Sequence, residues 1–226
     1  MPSGRFHDLK NRIQELRRLL LPSRFEPTGT YKDPLRVTTR ALSFRVLAHA
    51  EVETYLEDRV LEVATTALQA WETQRFVSVV TFHLIGFSGR AVDLPPDTLF
   101  TTDQNKQKTW EHKTAIDHRF SRCVSDFHHR IRQQNHGVKE KNIMSLLIPI
   151  GFDMSKCDQL FLQMMSTFGE ERGLVAHTSG KSHVQKAVDP KSEYTNLVNI
   201  LKDLKVIDDE FDRLHAACRA PSAPPL

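Results

Sequence analysis

The 226-residue sequence is short of cysteine, of long apolar runs and of any excess of one charge. Its three cysteines, Cys123, Cys157 and Cys218, are scattered and include no C-x-x-C pair, which argues against a disulfide framework or a zinc knuckle and fits a reducing, cytoplasmic setting. The longest apolar stretch, VSVVTFHLIGF, is too short and too interrupted to span a bilayer, and MPSGRFHDLK lacks the apolar core of a secretory leader. The expectation is a soluble, unprocessed chain with no membrane partner. The formal charge of +3 and pI near 8.8 permit a polyanionic partner without demanding one. With 39% hydrophobic residues, a chain of this length can bury one core.

What is present is helical periodicity. A first helix is predicted from about Arg5 to Leu20, before Pro22. LPSRFEPTGTYKDP, with three prolines and one glycine, must then be a linker. Asp33 and Pro34 supply an N-cap and a first-turn proline, and no Gly or Pro follows until Gly86. Thr39, Leu42, Val46, His49, Glu53, Leu56, Val60, Val63, Ala67 and Ala70 form an unbroken three-and-four ladder, so a helix of roughly 40 residues is expected. Residues 76 to 87 are β-rich in composition and ambiguous, and a long loop follows to about residue 107. Further helices are expected from about Thr109 to Gln134, with Gly137 offering a cap, over KEKNIMSLLIPIGF, from Ser155 or Asp158 onward, and from Asp189 and Pro190 to about Ala217. The whole reads as all-α: one helical domain over 1–216 with a disordered C-terminal tail at 217–226.

Two places put ionisable groups on apolar stripes. His49 and Glu53, one turn apart in the long ladder, are either a mutually satisfied buried pair or part of a site. In FGEERGLVAH, counting on from Phe161, Met165 and Phe168 carries Arg172 into the stripe, with His177 at the helix end. A structural role has Arg172 snorkel or pair with Glu170 or Glu171.

Other motifs carry less. GKS at 180–182 fails as a phosphate loop, because Val175 stands where the first glycine belongs and a helix precedes it. The histidine pairs 128/129 and 112/118 do not share a helix face, so no metal or cofactor is expected. HHRIRQQNHGVKEK is basic and either tracks phosphates or is a solvated face.

Three phrases, RALSFRVLAHAEVETYLED, NHGVKEKNIMSLLIPIGF and FGEERGLVAHTSG, occur here in the order found in the RiboL-PSP branch of the HEPN superfamily, and the last contains its R-x-x-x-x-H motif. The chain resembles a RiboL-PSP-type HEPN protein over most of residues 36 to 205. The resemblance implies a helical bundle with a long central helix, a homodimer with facing motif copies, and metal-independent endoribonuclease activity on RNA. It also implies a biological role as a toxin, held by an antitoxin or other protein partner, or as an antiphage effector. Carried over by position, Arg172 and His177 match the motif, and His49 and Glu53 match the polar positions of the long helix. Many relatives have Asn, Asp or His after the arginine, where this chain has Gly173. The competing class is a non-catalytic module that dimerises or binds a nucleotide or protein with the same bundle.

Overall fold

The computed structural model describes residues 3–89, 98, 103, 104, 107, 115–177 and 188–219, with residues 175–177 described by backbone alone. The described residues form an all-α structure without strands: α1 Gly4–Leu20, α2 Pro34–Gln74, α3 Val79–Gly86, α4 Ile116–Gln134, α5 Glu140–Leu147, α6 Gln159–His177 and α7 Pro190–Ala217. Single 3₁₀ turns lie at Ile148–Ile150 and Met154–Lys156. The GKS stretch, most of the long loop after Gly86, residues 108–114 at the start of the helix expected from Thr109, and residues 220–226 of the expected tail lie outside the described residues. The first residues of that tail are packed, since Ala217 ends α7 and Cys218 is fully buried.

Helix starts follow local chemistry. Ser3 accepts a hydrogen bond from the Phe6 amide at 3.1 Å, Asp33 from Arg36 at 3.1 Å, Asp158 from Phe161 at 2.7 Å and Asp189 from Ser192 at 3.0 Å, each satisfying an orphan donor of a first turn. Residues 79–86 are helix, not strand. Ser78 caps them by accepting from the Thr81 amide at 3.2 Å, and Val80 and Leu84, one turn apart, are both buried. That capped turn overrides the β-branched composition.

The chain gathers into two compact units, and α2 and α7 each contribute to both. The first unit comprises 1–59, 136–144 and 153–210. Its core takes Phe6, Leu9, Ile13 and Leu16 from α1, Phe44, Ala48, Val52 and Tyr55 from α2, Phe161 and Met165 from α6, and Leu197, Ile200 and Leu204 from α7. Asp208 is fully buried there and is saturated: it accepts from the Ser3 amide at 2.8 Å, the Ser3 hydroxyl at 2.6 Å and the Tyr55 hydroxyl at 2.9 Å, and Arg59 Nε lies 3.3 Å away.

The second unit comprises 60–135, 145–152 and 211–226. Val60, Val63 and Ala67 of α2 are buried in it, as are Phe120, Val124 and Phe127 of α4 and Phe211 and Leu214 of α7. Gly151 has φ of +75°, and a Cβ there would fall 2.8 Å from His83 Cδ2, so the turn requires glycine twice over. The three cysteines are buried and unpaired.

The ladder on α2 holds along part of its length. Leu56, Val60, Val63, Ala67 and Ala70 are buried, whereas Thr39 is exposed and Leu42 and Val46 are half-buried. Toward the start of the helix the buried stripe runs through Ala41, Phe44, Ala48, Val52 and Tyr55, one position round. No described helix is long and apolar enough to cross a membrane.

Candidate functional site

The first unit brings Arg172, His49 and Glu53 together. Phe161, Met165 and Phe168 bury one face of α6, and His49 of α2 packs its ring against Phe168 with centroids 5.2 Å apart. Arg172, one turn beyond Phe168, is half-buried, and its charge acts on both His49 and Glu53.

The acidic neighbours of Arg172 are engaged elsewhere. Glu170 lies 3.6 Å from Lys139, and Glu171 lies 3.4 Å from Arg45, which also makes a two-point contact with Glu193 at 2.5 and 2.8 Å. The expected pairing of Arg172 with Glu170 or Glu171 is therefore not what the fold adopts. Among the described residues, the Arg172 side chain makes no hydrogen bond or ion pair, although a partly buried guanidinium strongly favours one.

His49 is 1% exposed, and burial pushes its imidazole down to about 4, with the Arg172 charge acting in the same direction. It is neutral near pH 7. Its Nδ1 faces Glu53 Oε2 at 3.5 Å without forming a hydrogen bond, so the two are neighbours rather than a satisfied pair. Glu53 is raised above the usual carboxylate range by burial first and by the nearby Glu57 charge second. Arg172, a hydrogen bond donated by the Gly137 amide, and His136 pull the other way.

The Gly137 contact was not legible as such. A glycine just after a helix reads as a left-handed cap, but α4 ends at Gln134 with Asn135 extended, and Gly137 has φ of +150°. That conformation, open to glycine, aims its amide at Glu53. The histidine before it, His136, is exposed and close enough to act on the same carboxylate.

His177 is the last residue of α6, and its side chain lies outside the described atoms, as does any contact it makes with Arg172. His128 turns its ring toward Thr65, with Nε2 3.2 Å from Oγ1. Among the described residues no group of three His, Cys, Asp or Glu side chains is placed to hold a metal ion.

The arrangement therefore joins a guanidinium without a hydrogen bond or ion pair among the described residues, a neutral imidazole and a carboxylate drawn toward its protonated form. A guanidinium of this kind can take two oxygens of a phosphate. No protein-family model, characterised protein or solved structure matches the chain.

Proposed function

We propose that this chain is a metal-independent endoribonuclease of the HEPN type, acting on RNA as a homodimer. The observation that carries the reading is the half-buried Arg172 guanidinium, which among the described residues makes no hydrogen bond or ion pair while both acids beside it are held by other bases. A buried cation kept unpaired is costly to the fold, and a phosphate ligand offsets that cost.

In this reading Arg172 holds the scissile phosphate and stabilises the charge that builds on its oxygens. One His177 removes the 2'-hydroxyl proton, and the 2'-oxygen attacks phosphorus. The bond to the 5'-oxygen breaks, and a second imidazole gives that oxygen its proton, leaving a 2',3'-cyclic phosphate and a 5'-hydroxyl. Two histidines are needed because five residues of helix turn by about 140° and rise about 7.5 Å, which separates Arg172 and His177 of one copy. A two-fold axis near the end of α6 supplies the second pair. His49, neutral and enclosed, and Glu53 serve as positioning residues around Arg172. The biological role that fits is a cytoplasmic toxin held by an antitoxin, or an antiphage effector.

A second reading, a non-catalytic binding module, is favoured by the enclosure of His49, which keeps that imidazole from any substrate. Cleavage assays in excess EDTA decide between them. Wild-type chain should cut RNA to cyclic-phosphate ends, and Arg172→Ala and His177→Ala should lose about 10² to 10⁴ in rate with an unchanged melting temperature. A folded His177→Ala chain that still cuts removes the mechanism, and light scattering that finds only monomer removes the shared cleft.

A further inference from the structure

The linker and the first turns of α2 line a second cationic site in the first unit, with its four basic residues exposed. A cavity of about 630 Å³ is lined by Arg24 and Lys32 of the linker, Arg36 and Arg40 of α2, and the ring of Tyr31. Among the described residues, none of these four basic side chains makes a hydrogen bond or an ion pair. Two carboxylates also line it. Asp33, however, is committed to capping α2 through the Arg36 amide, leaving Glu26 as the other acid facing four cations.

The linker that carries most of this lining is a folded loop. The Arg17 guanidinium sits 4.7 Å from the Phe25 ring centroid and 5.5 Å from that of Tyr194, and it donates to the Ser23 carbonyl at 3.4 Å. Glu26 donates its amide to the Tyr31 hydroxyl at 3.3 Å, and Gly29 closes a turn onto the Glu26 carbonyl at 3.0 Å. These contacts fold the loop that puts Arg24, Tyr31 and Lys32 on the same cavity as Arg36 and Arg40.

We propose that this cavity binds single-stranded nucleic acid, with successive phosphates on the four basic side chains and a base against Tyr31. Small-molecule pockets of this size are lined mostly by apolar groups, whereas cations around one aromatic ring are how proteins track a single strand. Arg36 and Arg40 stand one helical turn apart, roughly 6 Å between Cβ atoms, a step comparable to that between neighbouring phosphates of a strand. Arginine forks suit phosphate oxygens better than a point charge does. That the strand is RNA rests on the ribonuclease reading.

The test uses the full chain in EDTA and a fluorescein-labelled RNA strand with 2'-O-methyl riboses, which binds but has no 2'-hydroxyl to react. Anisotropy titrations across a salt series compare wild type, Arg36→Ala/Arg40→Ala, Tyr31→Ala, Tyr31→Phe and a control that removes two exposed lysines elsewhere, Lys10→Ala/Lys202→Ala. The double arginine variant should bind about tenfold more weakly and flatten the log–log salt slope by about 1.4, for two phosphate contacts on a single strand. Tyr31→Ala should lose about tenfold, and Tyr31→Phe, which keeps the ring and gives up only the hydroxyl's contact with the Glu26 amide, should lose clearly less.

Equal affinity and slope in the arginine variant and wild type would overturn the proposal. So would an equal loss in the lysine control, or displacement of the strand by inorganic phosphate or a mononucleotide as readily as by unlabelled strand. The two readings also fail separately. If the arginines carry binding but the wild type cuts no RNA, the groove stands and the ribonuclease falls. If the wild type cuts RNA and the arginine variant binds undiminished, the groove falls and the ribonuclease stands.

Discussion

Glu171 meets Arg45 of α2 at 3.4 Å and not Arg172, its neighbour in sequence. Arg45 thereby gathers Glu171 and Glu193, while Arg172 stays unpaired among the described residues. Two arginines of one unit thus have opposite roles, and substitution separates them.

Arg45→Met should destabilise the chain by about 2–4 kcal/mol, because it strips two partly buried carboxylates of their counter-charge. Arg172→Met should cost less than about 1 kcal/mol, since no pair is broken. Urea unfolding of both variants checks this. In Arg172→Met, titration by NMR should also show the His49 and Glu53 pKa values moving up together, as the charge that lowers both is gone.

The His49 shift predicts a pH dependence with a definite sign. Its imidazole titrates at about 4 in the fold against 6.5 for the ordinary side chain, so below pH 6.5 the unfolded chain binds the extra proton. Stability should be fully present above that value and fall as pH drops toward 4, by on the order of 3 kcal/mol from this group. Glu53, raised in the fold, contributes in the opposite sense, losing stability as pH rises through its own titration. The difference in acid sensitivity between wild type and His49→Gln, read from unfolding midpoints at pH 7 and pH 4.5, isolates the imidazole. Parallel curves would show that His49 is not held neutral by burial.

Asp208→Ala should be among the most damaging single changes, costing about 3–5 kcal/mol. It removes a fully buried carboxylate that accepts from Ser3 and Tyr55 and lies 3.3 Å from Arg59, leaving the Ser3 and Tyr55 donors unmatched. A thermal melt within a degree or two of wild type would show that the network carries little.

Much of this architecture could be read from the chain. The ladder from Leu56 to Ala70 and the absence of Gly and Pro specified α2, and Asp33, Asp158 and Asp189 marked helix starts because their short carboxylates reach orphan amides. Periodicity also placed His49, Glu53 and Arg172 on buried faces. It could not say which acid each base would choose. Arg45 is 148 residues from Glu193 in the chain and 126 from Glu171, and such pairings depend on tertiary packing alone. The division into two units was equally hidden, since α2 and α7 cross from one to the other without a break in pattern. Residues 76–87 stayed ambiguous because β-branched composition outweighs a single serine cap in any count of residue types.

Two glycines four residues apart on α6 should behave oppositely in a library that samples every amino acid. At Gly169 a Cβ would lie 2.9 Å from Lys139 Cγ, near the root of that side chain, so any replacement displaces Lys139 from its contact with Glu170 and presses on the segment whose Gly137 amide reaches Glu53. At Gly173 a Cβ meets no described atom within 4 Å, and alanine should be enriched there, stabilising the helix by about 0.5–1 kcal/mol. Selection for folded protein should therefore deplete substitutions at position 169 relative to position 173. Among the described residues the space beside Gly173 thus tolerates a side chain, while the glycine that sets the approach of Lys139 resists one.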